Sequence, residues 1–417
     1  MKVLLINKFL YPKGGDAICT LATGALLRRY GHAVTFWGMK HPLNPAYPHQ
    51  DTFIDNMDLN TASGGLKQLD IAGKILYSFE AKEKLEALLR RDGRPDIVHL
   101  NNFAHQISPS ILHVLKKHKI PAVMTMHDFK MVCAPHSLFS KGKVCTKCAG
   151  GHYYHCFQEQ CVKTSRAKSL LSTVEMYLHH RLMHIYDYIH TFIAPSLFMK
   201  QALEGMGFRG KMAHIPNFID FTQFEPRFDA VERSIVFFGR LSKEKGAATL
   251  IEAAGGLDVQ VKIIGDGGQK PELEALIRQK GINNVSFLGY LSGDVLRHEI
   301  KNSLFVMVPS EVPENNPLSV LEAFALGKPV LGARIGGIPE LIQEGETGMT
   351  FQAGNALDMR QKILQMLGDT PSVTRMGQNA RRFVEDNFSA ETYYAKLQAV
   401  YAQAMGTPPA SSHGANS

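Results

Sequence analysis

Short apolar runs that alternate with helical patterns constrain the fold of this 417-residue chain more than any other feature. Short runs separated by helices are typical of parallel strands in βαβ units. They form two successive sets, so the sequence predicts an α/β protein with two doubly wound parallel sheets. The first set lies at 3–6, 33–37, 97–100, 122–126 and 189–194, and the second at 234–238, 259–264, 285–288, 304–308 and 329–331.

The length and composition agree with two to three domains, because 45% of the residues are hydrophobic and supply substantial cores. No apolar run approaches the ~18 residues that a membrane span needs. The opening run, 1–6, is too short for a signal peptide and is interpreted as a buried first strand. The sequence therefore predicts a cytoplasmic protein.

Two glutamates eight residues apart, Glu314 and Glu322, flank the start of a predicted helix. Eight helical residues rise about 12 Å, whereas glycosidases hold their two carboxyl groups within about 5 to 10 Å. The spacing therefore suits two contacts on one long ligand, a sugar at one end and a ribose at the other. The alternative is an acidic residue before a helix and an unrelated, partly exposed glutamate on it.

The residues between these glutamates favour a phosphate site. Pro317 fits the first helical position, and Asn315 or Asn316 suits the cap. The free amides of Leu318 and Ser319 are then expected at the positive end of the helix, where a diphosphate binds well.

A second cluster, at 237–246, follows an apolar run and predicts a strand, a tight turn and a helix. Arg240 and Lys245 would project from the carboxyl end of that strand, where ligands bind in open α/β sheets. They would place two cations beside a leaving diphosphate. The chain has no Asp-x-Asp motif, so these cations are expected to take the place of a bridging metal.

With further segments in the same order, these motifs resemble the retaining glycosyltransferases of family 4, which have the two-domain GT-B architecture. The resemblance implies two Rossmann-like domains that face a cleft. It also implies transfer of a sugar from a nucleotide diphosphate sugar, such as a UDP- or GDP-sugar, to an acceptor hydroxyl, in polysaccharide or glycolipid biosynthesis. The further matching segments are 11–16, 125–128, 193–196, 215–220, 264–267, 287–291 and 336–340.

The resemblance also implies residue roles. Glu314 would hold the donor sugar hydroxyls and Glu322 the ribose, while Arg240 and Lys245 would bind the diphosphate. His127 would position the reacting sugar and stabilise charge, with no obligatory general base and no cofactor for catalysis. The remaining expected donor-binding residues are Gly14, Gly15, Gly265, Leu291, Asn316, Pro317, Leu318 and Ser319. One departure from the family pattern is Phe218, where glycine is common, so the hinge after Asn217 is expected to be less permissive.

The predicted organisation has an acceptor-binding domain at 1–217 with a cysteine-rich insert at 130–165, and a donor-binding domain at 218–388. A helix at 389–405 would return to the first domain, as the resemblance implies. Residues 406–417 hold almost nothing to bury and are expected to be disordered.

Charge is divided unevenly between the two halves. Residues 1–217 carry 27 Lys and Arg against 15 Asp and Glu, whereas the rest carries 19 against 23. A basic acceptor domain favours a polyanionic saccharide, or a lipid-linked acceptor at an anionic membrane surface, with the protein peripheral on its inner face. Nucleic acid is not expected as a partner, because no binding motif accompanies the charge.

Five of the six cysteines lie between Cys133 and Cys161. The spacing predicts an all-cysteine structural zinc site from Cys145, Cys148, Cys156 and Cys161. Cys133, His152 or His155 are alternatives for one ligand. Reduced free thiols and a disulfide or redox pair are the competing interpretations.

The segment 165–188 is predicted to be one long helix with an apolar face. The face either packs on the domain or lies on a membrane surface. The residues of the face are Leu170, Leu171, Val174, Tyr177, Leu178 and Leu182.

Two other functions fit the same fold. One is a GT-B enzyme of another reaction type, such as an epimerase or a phosphorylase, and the other is a non-catalytic module that binds a nucleotide sugar. The presence of Glu314, Glu322, Arg240 and Lys245 together favours the glycosyltransferase.

Overall fold

The structure of the protein is a computed structural model that describes residues 1–57 and 65–407. Its strands follow the predicted apolar runs closely, and the sequence prediction missed four short ones, β5, β6, β8 and β14. The strands are β1 Lys2–Ile6, β2 Ala33–Trp37, β3 Ile97–Leu100, β4 Ala122–Thr125, β5 Phe139–Ser140, β6 Lys143–Val144, β7 Thr191–Ala194, β8 Met212–His214, β9 Ser234–Phe238, β10 Gln260–Ile264, β11 Val285–Gly289, β12 Phe305–Val308, β13 Val330–Ala333 and β14 Gly348–Phe351.

The helices connect the strands in the expected alternation. None of those in the described parts of the chain is both long enough and apolar enough to cross a membrane. They are α1 Gly15–Arg29, α2 Gly65–Leu76, α3 Phe79–Asp92, α4 Ile111–Lys117, α5 Tyr154–Gln158, α6 Arg166–Tyr177, α7 Leu197–Gly205, α8 Ala247–Ala254, α9 Lys270–Lys280, α10 Gly293–Asn302, α11 Leu318–Ala325, α12 Ile338–Leu341, α13 Ala356–Gly368, α14 Thr370–Asn387 and α15 Ala390–Met405.

Two six-stranded sheets organise the molecule, and all strand pairs within them are parallel. The first has the order β2-β1-β3-β4-β7-β8 and the second β11-β10-β9-β12-β13-β14, while β5 and β6 form a separate hairpin. Each sheet supports its own hydrophobic core. The prediction of two doubly wound parallel sheets is confirmed, and the pair of sheets has the GT-B arrangement that the resemblance implied.

The last helix, α15, packs on the first sheet although it follows the second sheet in sequence. Tyr393, Leu397 and Tyr401 of this helix are buried in the first core. The Tyr401 hydroxyl lies 2.8 Å from Nδ1 of His99 on β3. The first core therefore includes residues from the far end of the chain.

Two segments of chain connect the sheets and lie side by side. Phe218 packs on the first core, with its ring centroid 4.5 Å from that of Tyr393, whereas Ile219 belongs to the second core. The amide of Ile219 donates to the Phe388 carbonyl at 3.0 Å. Phe218, at a position where the family often has glycine, therefore packs on the first core at the point where the chain passes to the second sheet.

The segment 165–188 is not one continuous helix. α6, Arg166–Tyr177, continues as a π-helical turn at Leu178–Leu182, and the helix is interrupted at the left-handed His184, before a 3-10 turn at Ile185–Tyr188. The buried face of α6 carries Ser169, Ser172, Thr173, Glu175 and Met176, and Glu175 pairs with the buried Lys130 at 2.7 Å.

Much of the predicted apolar face of this segment is solvent-exposed. Leu170, Val174 and Leu182 are 47%, 44% and 76% exposed. The interpretation that the whole face packs on the domain is therefore wrong for these three residues.

The expected disordered tail falls mainly on residues 408–417, which lie outside the described residues. Gly406 closes α15 in a left-handed conformation, and the amide of Thr407 donates to the Ala402 carbonyl at 3.0 Å.

Candidate active site

The topological switch point of the second sheet lies between β9 and β12, because the chain builds outward in opposite directions from these neighbours. Ligands bind outside the carboxyl ends of the strands at such a point. β9 is followed by Arg240 and Lys245, and β12 by the loop that carries Glu314. The topology therefore brings the two predicted basic residues and the first predicted glutamate to one crevice.

Lys245 and Glu314 form an ion pair in this crevice. The Lys245 Nζ donates to Oε1 of Glu314 at 2.5 Å, and the Ser310 hydroxyl donates to the same oxygen at 2.8 Å. Arg240 is more exposed, and its guanidinium donates to Glu244 at 2.9 Å. The carboxylate keeps lone pairs for ligand hydroxyls, while the two cations supply positive charge for phosphate oxygens.

Gly265 follows β10 and lets the neighbouring turn approach. Its φ is +134°, and a Cβ at this position would lie 1.9 Å from the Gly239 carbonyl oxygen, so a larger residue does not fit. The amide of Gly239 in turn donates to the Ile264 carbonyl at 3.0 Å. The backbones after β9 and β10 are thus locked together beside Arg240. Leu291, after β11, is partly buried against the second core.

Helix α11 begins at Leu318, with Pro317 as its cap residue and no hydrogen bond from a capping side chain. The prediction that Asn315 or Asn316 caps this helix is wrong, and Pro317 lies just before the first helical residue. The amides of Leu318 and Ser319 are therefore not covered by a cap. They lie at the positive end of an eight-residue helix, where an anion is favoured.

Glu322 lies on the second turn of α11 and titrates near neutral pH. Burial raises its pKa to about 7, and the positive charge of Arg297 opposes this shift. The carboxyl group is therefore close to half ionised at neutral pH before any ligand binds. Only its ionised form has both oxygens free to accept from a diol such as that of ribose.

We expect Glu322 to make ligand binding and stability depend on pH in opposite directions. Its folded pKa lies above the ordinary value of 4.5, so folding favours the protonated form. The stabilisation is present below pH 4.5 and is lost as the pH rises through 7, by up to roughly 3 kcal/mol. Nucleotide affinity should instead weaken as the pH falls below 7. Between pH 5 and 8.5, denaturation measures the stability and calorimetry measures the nucleotide affinity. If both quantities depended on pH equally in wild type and in Glu322→Gln, Glu322 would not be the titrating group.

The first domain contributes a histidine and a glycine-rich helix start. Gly14 is the cap residue of α1, which begins at Gly15. His127 follows β4, and its Nε2 lies 2.9 Å from the Asn101 amide oxygen. Burial lowers the pKa of His127, although Asp16 and Asp128 oppose the shift. The imidazole is therefore neutral at neutral pH, which suits hydrogen bonding better than a fixed positive charge.

Direct hydrogen bonds join the Glu314 loop to the first domain. The Asn315 amide donates to the His127 carbonyl at 2.7 Å. Asn316 accepts from Asn217 twice, through its carbonyl at 2.8 Å and its side-chain oxygen at 3.1 Å. Sequence reasoning missed these roles, because spacing within one segment does not report contacts across the cleft.

Glu340 makes a further contact between the domains. Its carboxylate accepts from the backbone amides of Leu197 and Phe198, the former at 2.9 Å. The segment 336–340 was part of the family resemblance, but no role for Glu340 followed from its position in the sequence.

The cysteines of the insert are all free thiols and lie close to one another. A hydrogen bond between the Cys156 and Cys161 thiols raises the pKa of Cys156 and lowers that of Cys161. Burial raises the pKa of Cys148 to about 11, with contributions from Cys161 and Cys145. Within residues 1–57 and 65–407, however, no three His, Cys, Asp or Glu side chains are placed to hold one metal ion. The predicted four-cysteine set is therefore not assembled as a zinc site here.

Two family models match the chain in succession. Glycosyltransferase Family 4 matches residues 13–223, and Glycosyl transferases group 1 matches residues 218–383. N-acetyl-alpha-D-glucosaminyl L-malate synthase of Bacillus anthracis is 23% identical over 405 residues, which are 94% of each chain. The chain spans about half the length of other curated relatives that it matches, 47% and 48% for two of them.

Solved structures share the whole fold. Sucrose-phosphate synthase from Thermosynechococcus elongatus aligns with a TM-score of 0.73 at 19% identity, over 97% of this chain and 99% of that one. HepE of Anabaena, solved in complex with UDP-glucose, aligns with a TM-score of 0.67 at 19% identity, over 97% and 100%.

Proposed function

Since this chain belongs to glycosyltransferase family 4 and has the GT-B fold, we propose that it is a retaining hexosyltransferase that uses a nucleotide sugar. It transfers the sugar of a UDP- or GDP-sugar to an acceptor hydroxyl. The observation that carries this proposal is the meeting of Lys245, Glu314 and the uncapped start of α11 at the switch point of the second sheet. The same crevice offers charge for a diphosphate and a carboxylate for sugar hydroxyls.

The proposed chemistry assigns each group a charge-based role. Breaking the bond between the anomeric carbon and the phosphate oxygen develops negative charge on the diphosphate. Lys245, Arg240 and the amides of Leu318 and Ser319 stabilise that charge without reorganising. Glu314 holds the sugar hydroxyls, and Glu322 holds the ribose.

The proton balance of the proposed step needs no enzyme base. The acceptor oxygen forms a bond to the anomeric carbon on the face that the phosphate leaves, which gives retention. The departing phosphate oxygen takes the acceptor proton. His127, neutral and hydrogen-bonded to Asn101, positions the reacting sugar. The step is proposed to need no metal ion, because Arg240 and Lys245 supply the positive charge beside the diphosphate.

A panel of UDP, GDP, ADP and dTDP sugars in a thermal-shift assay, followed by a nucleotide-release assay, tests the proposed function. Binding to the native state alone raises the melting temperature by mass action. We expect one nucleotide class to stabilise the wild type, with the shift lost in Glu322→Ala. Stabilisation without nucleotide release in the presence of saccharide or lipid-linked acceptors would favour a non-catalytic module. NMR of the product determines the configuration at the anomeric carbon of the transferred sugar. An inverted configuration would overturn the retaining assignment.

We also propose that the acceptor is a saccharide or is lipid-linked and reached at an anionic membrane surface. Two features support a membrane role: the positive balance of residues 1–217, and the exposed Leu170, Val174 and Leu182. Sedimentation with vesicles that contain anionic lipid, compared with vesicles of neutral lipid alone, measures membrane binding. Leu170→Gln with Val174→Gln should reduce binding, and equal binding by this variant would contradict the membrane role.

A structural zinc ion in the insert remains a prediction, supported by the cysteine spacing and the mutual proximity of the thiols. Cys145→Ser with Cys148→Ser should release about one equivalent of zinc and lower the melting temperature. Elemental analysis of the purified wild type and variant measures the metal. Cys19→Ser is a matched control, because Cys19 lies on α1 outside the insert. A wild type without zinc would refute the site.

A further inference from the structure

We infer that Glu340 and Asn315 are positioning residues, which fasten the Glu314 loop to the first domain so that it faces His127. Glu340 lies on α12 of the second domain and accepts from the amides of Leu197 and Phe198. These two residues open α7 of the first domain. The first amides of a helix have no partner within it, so Glu340 completes a helix cap across the cleft.

The capped helix is in direct contact with the His127 loop. The Ser196 hydroxyl accepts from the amide of Met199. The first three amides of α7 are therefore all paired, one with a residue of the first domain and two with Glu340 of the second. The ring of Phe198 packs edge-on against that of Phe129, at 6.0 Å between centroids. Phe129 lies two residues after His127. Glu340 therefore holds a residue that itself supports the His127 loop.

The start of α12, the helix that carries Glu340, is hydrogen-bonded to the backbone of Glu314. The amide of Gly337, three residues before Glu340, donates to the Glu314 carbonyl at 2.7 Å. A Cβ on Gly337 would lie 1.8 Å from the Asn315 carbonyl oxygen, so the start of α12 and the Glu314 loop are in backbone contact. A shift of α12 is therefore passed to Glu314 without flexible side chains in between.

Asn315 makes the second attachment, through its bond of 2.7 Å to the His127 carbonyl. Its own side-chain oxygen is buried and lacks a hydrogen-bond partner in the protein. A buried acceptor without a partner is costly. The hydrogen bond that the Asn315 side chain makes therefore joins the two domains and does not stabilise the loop that carries it.

This inference rests on the proposed function, because it concerns the alignment of the donor-sugar clamp with the acceptor side. The side chains proposed to bind the nucleoside diphosphate, Arg240, Lys245 and Glu322, all belong to the second domain, and the first domain is expected to contribute only the backbone at Gly14 and Gly15. Loosening the two attachments should therefore lower turnover and leave nucleotide affinity unchanged. Glu340 is solvent-exposed, so its hydrogen bonds are individually modest. The double variant is the decisive one.

The test compares Glu340→Ala, Asn315→Ala and their combination with Asp369→Ala. Asp369 is a matched control because it caps α14 at 3.1 Å from the Ser372 amide, within the second domain. We expect kcat to fall roughly tenfold in each single variant and about a hundredfold in the double variant. The dissociation constant for the nucleotide should stay within about twofold. Glu340→Gln, which keeps one acceptor oxygen, should recover part of kcat.

Hydrogen exchange gives a readout that needs no activity. The amides of Leu197 and Phe198 should exchange faster in Glu340→Ala than in wild type or Asp369→Ala. Unchanged exchange, or an unchanged kcat in the double variant, would overturn the inference. A wild type that transfers no sugar would instead count against the proposed function, and the exchange experiment would still decide whether Glu340 caps α7.

Discussion

Glu314→Ala should lower kcat/KM by roughly a thousandfold or more, equivalent to about 4 kcal/mol of transition-state stabilisation. The carboxylate is the proposed contact of the donor sugar, and it also fixes Lys245, whose ammonium lies 2.5 Å away. Removing it leaves that ammonium without its partner and the sugar without an acceptor for its hydroxyls. Steady-state kinetics with the donor found in the nucleotide panel gives the value.

The stability of the Glu314→Ala variant should change little. Both members of the pair are partly exposed, so solvent screens the loss. Glu311→Gln is the matched control, since Glu311 lies in the same loop but contacts Thr249 within the second domain. Turnover within about threefold of wild type in Glu314→Ala would remove the central assignment.

Lys245→Ala should lower kcat by about a hundredfold, because the ammonium is proposed to meet charge that grows as the diphosphate leaves. This corresponds to roughly 2.7 kcal/mol. Nucleotide diphosphate affinity should fall less than kcat, since the ground state carries less charge on the bridging oxygen. Single-turnover rates and calorimetry with the free nucleotide diphosphate separate the two effects.

Lys243→Ala is the matched control for Lys245. Lys243 belongs to the same 3-10 turn, Lys243–Lys245, and is solvent-exposed. An equal loss in both variants would indicate a general effect of positive charge on the approach of the ligand, which salt would screen. The Lys245 assignment would then fail.

The strands of both sheets were predictable because a strand covered on both faces is a continuous apolar run, which leaves a direct trace in the sequence. β8 and β14 were not predictable in this way, because their segments, Met-Ala-His and Gly-Met-Thr-Phe, are short and combine apolar with polar residues. Glu314, Lys245 and the start of α11 were predicted as site residues from the patterns of single segments, and the structure brings Glu314 and Lys245 into contact. The cap by Pro317 was not, because the two asparagines that suited this role are held by contacts with the first domain.

α6 shows why the apolar periodicity misled. Its buried face holds Glu175, which is fully buried and pairs with Lys130, a residue 45 positions earlier. A lysine that compensates a glutamate from another segment cannot be identified by the pattern of one helix. Glu340 was missed for the same reason, since its partners are backbone amides, which have no sequence signature at all.

The return of α15 means that the first domain is not a continuous stretch of sequence. A fragment that ends at 217 would lack Tyr393, Leu397 and Tyr401, and with them part of its own interior. During synthesis this interior stays incomplete until the last helix emerges, so the second domain can finish folding before the first. Proteolysis of the chain after Phe228 would leave its two fragments held together by non-covalent packing alone, because α15 belongs to the second fragment and its buried side chains lie in the first core.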